Sequence, residues 1–190
     1  MMQTITKKAL FSASLVFLIL LFDQLLKIWV KTSFYLGEEL YITSFFRLVF
    51  VENNGMAFGM SFGDKIYLTL FRIIASIAIL WYLIHNIKNK AHNLALASIA
   101  LIFAGATGNI IDCVFYGQVF DYAPYFYGKV VDMLYFPLIE GHYWDWIPGV
   151  GGEHFVFFAP VFNLADTAIC VGVGLLIIYE SLFAKQDEKQ

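Results

Sequence analysis

Six polar residues that could do chemistry interrupt the long apolar stretches of this chain. They form three pairs with partners three or four positions apart: Asp23 with Lys27, Asn109 with Asp112, and Asn163 with Asp166. Residues at these spacings share one face of a helix. Carboxylates in apolar surroundings are costly, and they normally point into a helix bundle or a wet cavity where they have a function. The pattern therefore predicts a polar site inside a helical bundle.

Paired carboxyl groups suggest hydrolysis. Two carboxyl groups held close together in a poorly hydrated site cannot easily both ionise, so one keeps its proton while the other acts as a base. Such a pair can hydrolyse a peptide bond. Structural roles compete with this chemistry, since Asp23 and Lys27 could form an ion pair along one helix. Asn109 and Asn163 could likewise form hydrogen bonds between helices. For these four residues the sequence favours the structural role.

Other hydrolytic chemistries find no support in the sequence. The four histidines, His85, His92, His142 and His154, lack the HExxH spacing of a zinc peptidase. No G-x-S-x-G turn presents a serine, and Cys113 is interpreted as an inert buried thiol. We therefore expect no metal and no cofactor.

The composition places these residues in a membrane protein. Of the 190 residues, 60% are hydrophobic and only 14% charged, whereas a typical soluble domain is about 45–50% apolar. Segments long enough to span a bilayer occur at about residues 9–30, 66–84, 94–112 and 165–183. We expect an all-α integral membrane protein with four transmembrane helices, and residues 1–190 as one domain. No basic patch with interleaved aromatics occurs, so no nucleic acid is expected as a partner.

The distribution of lysines predicts the orientation. Pairs of lysines stand near both ends of the chain and between the second and third spans: Lys7 and Lys8, Lys88 and Lys90, and Lys185 and Lys189. With four spans these segments share one side, which the positive-inside rule makes the cytoplasm. Residues 31–65 and 113–164 then face outward. We expect a small β-element in the first of these segments and loops in the second, with Trp144 and Trp146 as interfacial anchors.

Five blocks of the sequence resemble, in order, the signature blocks of lipoprotein signal peptidase (signal peptidase II). These blocks are Asp23–Lys27, Glu52–Gly59, Gly105–Asp112, Val130–Asp132 and Phe162–Asp166. One block alone is a weak signal, but five at the expected positions among four spans are specific. The resemblance implies an aspartic endopeptidase of the bacterial inner membrane and a target of globomycin-type inhibitors. Its implied reaction removes the signal peptide of prolipoproteins by a cut just before the diacylglyceryl-cysteine.

The resemblance also assigns roles to residues. The last block supplies one catalytic aspartate, Asp166, and the Val-Val-Asp block supplies the other, Asp132. Residues expected to bind substrate or support the site are Asp23, Lys27, Asn53, Gly55, Asn109, Asp112 and Asn163. The expected partners are a prolipoprotein with a lipid-modified cysteine and membrane lipid, and the protein is expected to be a monomer. The site would lie near the extracytoplasmic face, with both termini in the cytoplasm.

The chain departs from the family pattern in two places. Cys113 follows the Gly-Asn-x-x-Asp block where the family usually has Arg, and the outer segment 113–164 is longer than usual. The added length makes Asp121 a rival to Asp132, because Asp121 stands at the gap-free position. Asp132 is favoured because it has the Val-Val-Asp core and an apolar sequel able to dip into the bilayer. Asp121 is then expected in a solvated turn at the membrane surface.

Two functions from other classes compete with the peptidase. A small transporter or channel would also place carboxylates at one depth, but it predicts polar residues in both halves of the membrane. The predicted cytoplasmic halves of the spans are almost purely apolar. A non-catalytic scaffold predicts that the aspartates tolerate substitution by Asn.

Overall fold

Long helices form most of the fold. The computed structural model describes residues 2–54 and 64–182. The helices are α1 (Met2–Ser33), α2 (Lys65–Lys88), α3 (Asn93–Ile111), the single turn α4 (Gly117–Val119) and α5 (Leu164–Leu182). Helix α3 continues through a π-helical turn into α4, so four helical segments are long and apolar enough to cross a membrane. The four predicted spanning helices are therefore confirmed, and α1 extends beyond its predicted bounds at both ends.

Side-chain N-caps mark the start of two of the spanning helices. The Asp64 side chain accepts a hydrogen bond from the backbone N–H of Ile66 at 3.3 Å, which caps α2. The ring of His92 accepts from the N–H of Leu94 at 3.2 Å and caps α3. In the connection between α2 and α3, Lys90 adopts a left-handed conformation with φ 57°. The connection is therefore tight, and it turns the chain back so that α3 packs against α2.

Helix α3 lies at the centre of the bundle and packs against α1, α2 and α5. Small residues allow its close approach to α5. A Cβ added to Gly172 would lie 2.7 Å from the carbonyl oxygen of Ser98, and a Cβ on Gly105 would collide with the backbone of Ala165. This close packing holds the first turn of α5 beside the end of α3, where Asn109 and Asn163 lie.

Two antiparallel sheets complete the described fold. The strands are β1 (Glu39–Thr43), β2 (Phe46–Asn53), β3 (Val130–Tyr135), β4 (Ile139–His142), β5 (His154–Phe157) and β6 (Val161–Phe162). The larger sheet has the order β1-β2-β3-β6, and β4 pairs with β5 in a separate hairpin. The larger sheet packs on the ends of α1 and α3 through a cluster of buried residues: Val30, Leu48, Phe50, Tyr116, Val131 and Met133.

The second connecting segment differs from its prediction. Loops were expected over residues 113–164, but this segment contains four strands. Strand β3 pairs with β2, with Val51 opposite Asp132. Its partner is distant in sequence, and local patterns do not reveal such a pairing. Trp144 and Trp146 lie between β4 and β5 and are exposed; their role as interfacial anchors stays a prediction.

Candidate active site

Strand β3 carries Asp132 into the interior. Successive side chains of a strand point to opposite faces, so Val131 and Met133 enter the apolar cluster while Asp132 points away from it. Asp132 is only 2% exposed. Its Oδ1 accepts a hydrogen bond from Nδ2 of Asn163 at 2.7 Å, and its Oδ2 accepts one from Nδ2 of Asn53 at 3.1 Å. Asp132 is thus a buried carboxyl group held by two neutral amides.

The first turn of α5 holds Asp166 in a reciprocal cap. The Asn163 Oδ1 accepts a hydrogen bond from the backbone N–H of Asp166 at 2.9 Å, and the Asp166 Oδ2 accepts one from the N–H of Asn163 at 3.4 Å. This is the capping-box arrangement, which satisfies two N–H groups at a helix start. The other oxygen of Asp166 accepts from Nδ2 of Asn109 at 2.8 Å. Asp166 is half-buried, so it is the more accessible of the two aspartates.

Asn163 connects the two aspartates. Its Nδ2 donates to Asp132 and, at 3.2 Å, to Oδ1 of Asn109, while its Oδ1 holds the backbone of Asp166. Both amide N–H bonds are therefore used. Among residues 2–54 and 64–182, neither Asp132 nor Asp166 forms an ion pair. Asparagine amides therefore organise the pair.

Burial and, after it, the nearby charge of Asp166 raise the pKa of Asp132, which reaches about 7. Hydrogen bonds from Asn53 and Asn163 and the charge of Lys27 act in the opposite direction and offset part of this effect. A carboxyl group with such a pKa keeps its proton in about half of the molecules at pH 7, whereas a carboxyl group with an ordinary pKa is almost fully ionised there. The arrangement can therefore present one protonated and one ionised carboxyl group to a substrate.

A second polar cluster lies directly beside the first. The ammonium group of Lys27 is fully buried and contacts three oxygens: Asp23 at 2.9 Å, Asp112 at 2.8 Å and Oδ1 of Asn109 at 2.9 Å. An ammonium group has three N–H donors, so Lys27 is fully satisfied. Asn109 belongs to both clusters, because its Nδ2 donates to Asp166.

The carboxylates around Lys27 connect four elements of the fold. Asp23 accepts a hydrogen bond from the backbone N–H of Ala165 in α5 at 2.9 Å, and Asp112 accepts one from the N–H of Val131 in β3 at 3.3 Å. Gln24 donates to both carboxylates, at 3.1 Å and 3.0 Å. The cluster therefore fixes α1, α3, β3 and α5 relative to one another.

Close packing explains one glycine of the third block. A Cβ added to Gly108 would lie 2.7 Å from Oδ2 of Asp23 and 3.2 Å from the Cβ of Ala165. The absence of a side chain lets Asp23 reach Lys27 and the start of α5. Gly55, the glycine that the sequence predicts to support the site, lies outside the described residues.

Two polar groups of this region were not singled out from the sequence. Gln24 follows Asp23 directly, and its place in the first block was the available signal. Glu52 in β2 bonds Lys129 at 2.9 Å and also bonds Lys31. Burial alone would raise the pKa of Glu52, but the hydrogen bonds from the two lysines outweigh this and lower it.

Asp121 and Cys113 lie outside the two clusters. Asp121 is exposed in a turn after α4, with φ 60°, in agreement with the solvated turn expected for it. Cys113 is buried in the π-helical turn. The guanidinium Nη1 of Arg72 in α2 donates to its Sγ at 3.5 Å. The sequence has Cys113 where the signature pattern usually has Arg, and the guanidinium of Arg72 from another helix lies beside this position.

Comparison with known proteins gives consistent matches. The family model of signal peptidase (SPase) II matches residues 15–183. A protein named lipoprotein signal peptidase from Porphyromonas gingivalis is 46% identical over 182 residues, which cover 87% of this chain and 80% of the relative. One of the same name from Amoebophilus asiaticus is 40% identical over 186 residues, covering 91% and 78%. A bacterial membrane enzyme solved by the in meso method at 2.3 Å matches with TM-score 0.67 and 26% identity, covering 94% of this chain and 91% of that one.

Proposed function

The chain belongs to the signal peptidase II family, peptidases that remove signal peptides from prolipoproteins, and we propose that it works as an aspartic endopeptidase that cuts just before the diacylglyceryl-cysteine. One observation carries this proposal. Asp132 and Asp166 both bond Asn163, and neither has an ion-pair partner in the described part of the chain. Two such carboxyl groups cannot easily both ionise, which leaves one as an acid and one as a base.

The proposed reaction begins with a water between the substrate and the ionised carboxylate. This carboxylate takes a proton from the water, whose oxygen attacks the scissile carbonyl carbon, while the protonated carboxyl polarises the carbonyl oxygen. The protonated group then gives its proton to the leaving amine as the C–N bond breaks. The products are a signal peptide with a new carboxylate and a lipoprotein with a free amino group on its lipid-modified cysteine.

The surroundings favour Asp132 as the acid and Asp166 as the base. The pKa of Asp132, raised to about 7 chiefly by burial, lets it hold a proton in a large share of molecules near neutral pH. Asp166 stands in the first turn of α5 and accepts two N–H hydrogen bonds, an environment suited to a negative charge.

Substrate and membrane location follow from the same proposal. The acyl chains of the substrate would lie along apolar helix faces, with affinity of about 0.8 kcal/mol for each buried CH₂ group. We propose a monomer with residues 1–190 as one peptidase domain in the bacterial inner membrane, and globomycin-type compounds as inhibitors that occupy the dyad. Both termini would be cytoplasmic and the dyad extracytoplasmic.

Product analysis tests the proposed cut. Purified protein is incubated with a prolipoprotein that carries the diacylglyceryl group and with the same prolipoprotein lacking it. We expect cleavage of the first only, and mass spectrometry of the product should give an N-terminal cysteine with the lipid attached. Cleavage at another bond, or no cleavage by a folded protein, would contradict the proposal.

A further inference from the structure

The β4–β5 hairpin places two histidines directly opposite each other. His142 at the end of β4 pairs with His154 at the start of β5, and the centroids of their rings lie 5.3 Å apart. At the next position Tyr143 donates its backbone N–H to the carbonyl oxygen of Glu153 at 2.9 Å. Hydrogen-bonded and non-hydrogen-bonded pairs alternate along antiparallel strands, so His142 and His154 form a non-hydrogen-bonded pair, in which opposite side chains approach most closely.

Both imidazole rings are available to a ligand. Each histidine is exposed, and within residues 2–54 and 64–182 neither ring forms a hydrogen bond or an ion pair. A neutral imidazole has one nitrogen with a free lone pair, which can bind a metal ion. The hairpin therefore presents two nitrogen donors side by side on one of its faces.

The separation of the rings suits a shared metal ion. Imidazole is the commonest metal ligand in proteins and binds zinc, copper and nickel well. A zinc–nitrogen bond is about 2.0–2.1 Å long, so two rings on one tetrahedral zinc have their centroids about 5 Å apart. The 5.3 Å between His142 and His154 is close to this value. An edge-to-face contact of two rings gives a similar separation, so binding of a metal is what distinguishes the two arrangements.

The two histidines would form an open site. Among the residues that the structure describes, no group of three or more His, Cys, Asp or Glu side chains could hold a metal ion. Glu140 lies on the same face of β4 as His142, but its Oε1 accepts a hydrogen bond from Nη2 of Arg47 at 2.6 Å. This bond ties the hairpin to β2 of the larger sheet. Water would fill the other positions around the metal, as in sites that exchange their ligands.

The hairpin connects the two parts of the proposed dyad. Strand β4 follows β3, which carries Asp132, and β5 leads into β6 and then to Asn163 at the start of α5. A metal ion held by both histidines would cross-link β4 to β5 at the point where the chain leaves the hairpin for residues 143–153. The ion would therefore constrain the connection between the two aspartates.

We propose that His142 and His154 bind one divalent transition-metal ion of the zinc or copper type, and that this ion clamps β4 to β5. Binding requires both rings to be neutral, because a protonated imidazole has no lone pair to offer. The site is separate from Asp132 and Asp166 and supplies no step of their proposed reaction. It is a structural clamp on the segment that joins them.

The test is isothermal titration of the purified protein in detergent, with any affinity tag removed, using Zn²⁺, Cu²⁺ and Mg²⁺. We expect one Zn²⁺ per chain, tighter binding of Cu²⁺, and no binding of Mg²⁺, which prefers oxygen ligands. His142→Gln and His154→Gln should each weaken the zinc affinity more than about tenfold, since even loss of a residue behind a metal ligand has an effect of this size. Zinc should also slow proteolysis within residues 143–153 of the wild type and of neither variant.

Two control variants remove other candidate metal ligands. His85→Gln removes an exposed histidine near the end of α2, and Cys170→Ser removes an exposed thiol. Both should leave the zinc affinity unchanged. Unchanged zinc affinity in His142→Gln and His154→Gln, an equal loss in either control, or binding of Mg²⁺ as tight as that of Zn²⁺ would each overturn the proposal. The two rings would then form an aromatic contact only.

Discussion

Asp23 with Asp112, and Asp132 with Asp166, are neighbouring carboxylate pairs that differ in what faces them. Lys27 bonds Asp23 and Asp112 at 2.9 and 2.8 Å. Asp132 and Asp166 instead accept hydrogen bonds from asparagine amides and from a backbone N–H. One ammonium group partly neutralises the first pair, whereas the second has no ion-pair partner within the described residues.

Burial does not distinguish Asp112 of the first pair from Asp132 of the second. Asp112 is 0% exposed and Asp132 is 2% exposed, so both are equally shielded from water. The partner makes the difference: Asp23 and Asp112 share a buried ammonium group, while Asp132 and Asp166 have no ion-pair partner among residues 2–54 and 64–182, which favours the sharing of one proton. The first arrangement suits structure and the second suits acid–base chemistry.

The largest expected effect is on cleavage. Asp132→Asn and Asp166→Asn should each lower the rate about 10³-fold, the usual scale for loss of a general acid or base, because Asn neither gives nor takes a proton. Single-turnover cleavage of lipid-modified prolipoprotein, at equal amounts of folded protein, measures this. The control is Asp112→Asn, a buried carboxylate of the neutralised pair, which should keep substantial turnover in any protein that folds. An Asp166→Asn protein with most of its activity would remove the basis for the dyad.

Removing the cation of the first pair should mainly lower the free energy of unfolding. Lys27→Met leaves Asp23 and Asp112 buried without their cation, which should cost about 3–5 kcal/mol of unfolding free energy. Thermal unfolding in detergent measures the loss. Adding Asp112→Asn to Lys27→Met should recover part of it, because one uncompensated charge is removed. If the double variant is less stable than Lys27→Met by the full effect of Asp112→Asn, the two side chains are not coupled as the structure indicates.

Much of this architecture follows from local sequence. The four spanning helices appear as apolar runs of the required length, and the polar pairs at spacings of three and four lie on common helix faces. Asn163 and Asp166, for example, cap one helix start and bond each other's backbone. The structure also agrees with the interpretation of Asp23 and Lys27 as an ion pair.

Local sequence patterns did not predict the contacts between distant segments. Lys27 bonds Asn109, 82 residues away, and Asn53 bonds Asp132, 79 residues away. Sequence periodicity does not reveal either contact, because each depends on how the sheet packs on the helix ends. The same reason explains why β3 was expected as a loop, and why the double role of Asn109 appears only in three dimensions.

The pH profile gives a smaller and more specific test. With the pKa of Asp132 raised to about 7, the dyad loses its proton as pH rises through this value, so cleavage should fall on the alkaline side about tenfold per pH unit. The hydrogen bond from Asn53 lowers this pKa. Asn53→Ala should therefore raise it and move the alkaline limb to higher pH.

The free energy of unfolding should also fall as pH rises, because of the same raised pKa of Asp132. The folded-state pKa of Asp132 lies above the unfolded value of about 3.9. Its contribution to stability is therefore fully present below that unfolded value and is lost as pH rises through about 7. Asp132→Asn should remove this part of the pH dependence. For the cleavage profile described above, an alkaline limb that stays at the same pH in Asn53→Ala would mean that the pKa of Asp132 does not set it.

The smallest effect is expected at Asp121, the aspartate that belongs to neither pair. It is exposed in the turn after α4, and its backbone N–H donates to the carbonyl oxygen of Gln118 at 3.3 Å. Its φ of 60° is a left-handed conformation that Asn adopts as readily as Asp. Asp121→Asn should therefore change the unfolding free energy by no more than about 0.5 kcal/mol.

Cleavage by Asp121→Asn should likewise match the wild type, measured beside Asp132→Asn at equal membrane levels and with the same lipid-modified substrate. This comparison decides between the two positions that the sequence offers for the partner of Asp166. Asp132 bonds Asn163 within the polar interior, whereas Asp121 lies in a surface turn. If Asp132→Asn cleaves normally and Asp121→Asn does not, the partner of Asp166 is Asp121. The pairing around Asn163 would then be structural, like the cluster around Lys27.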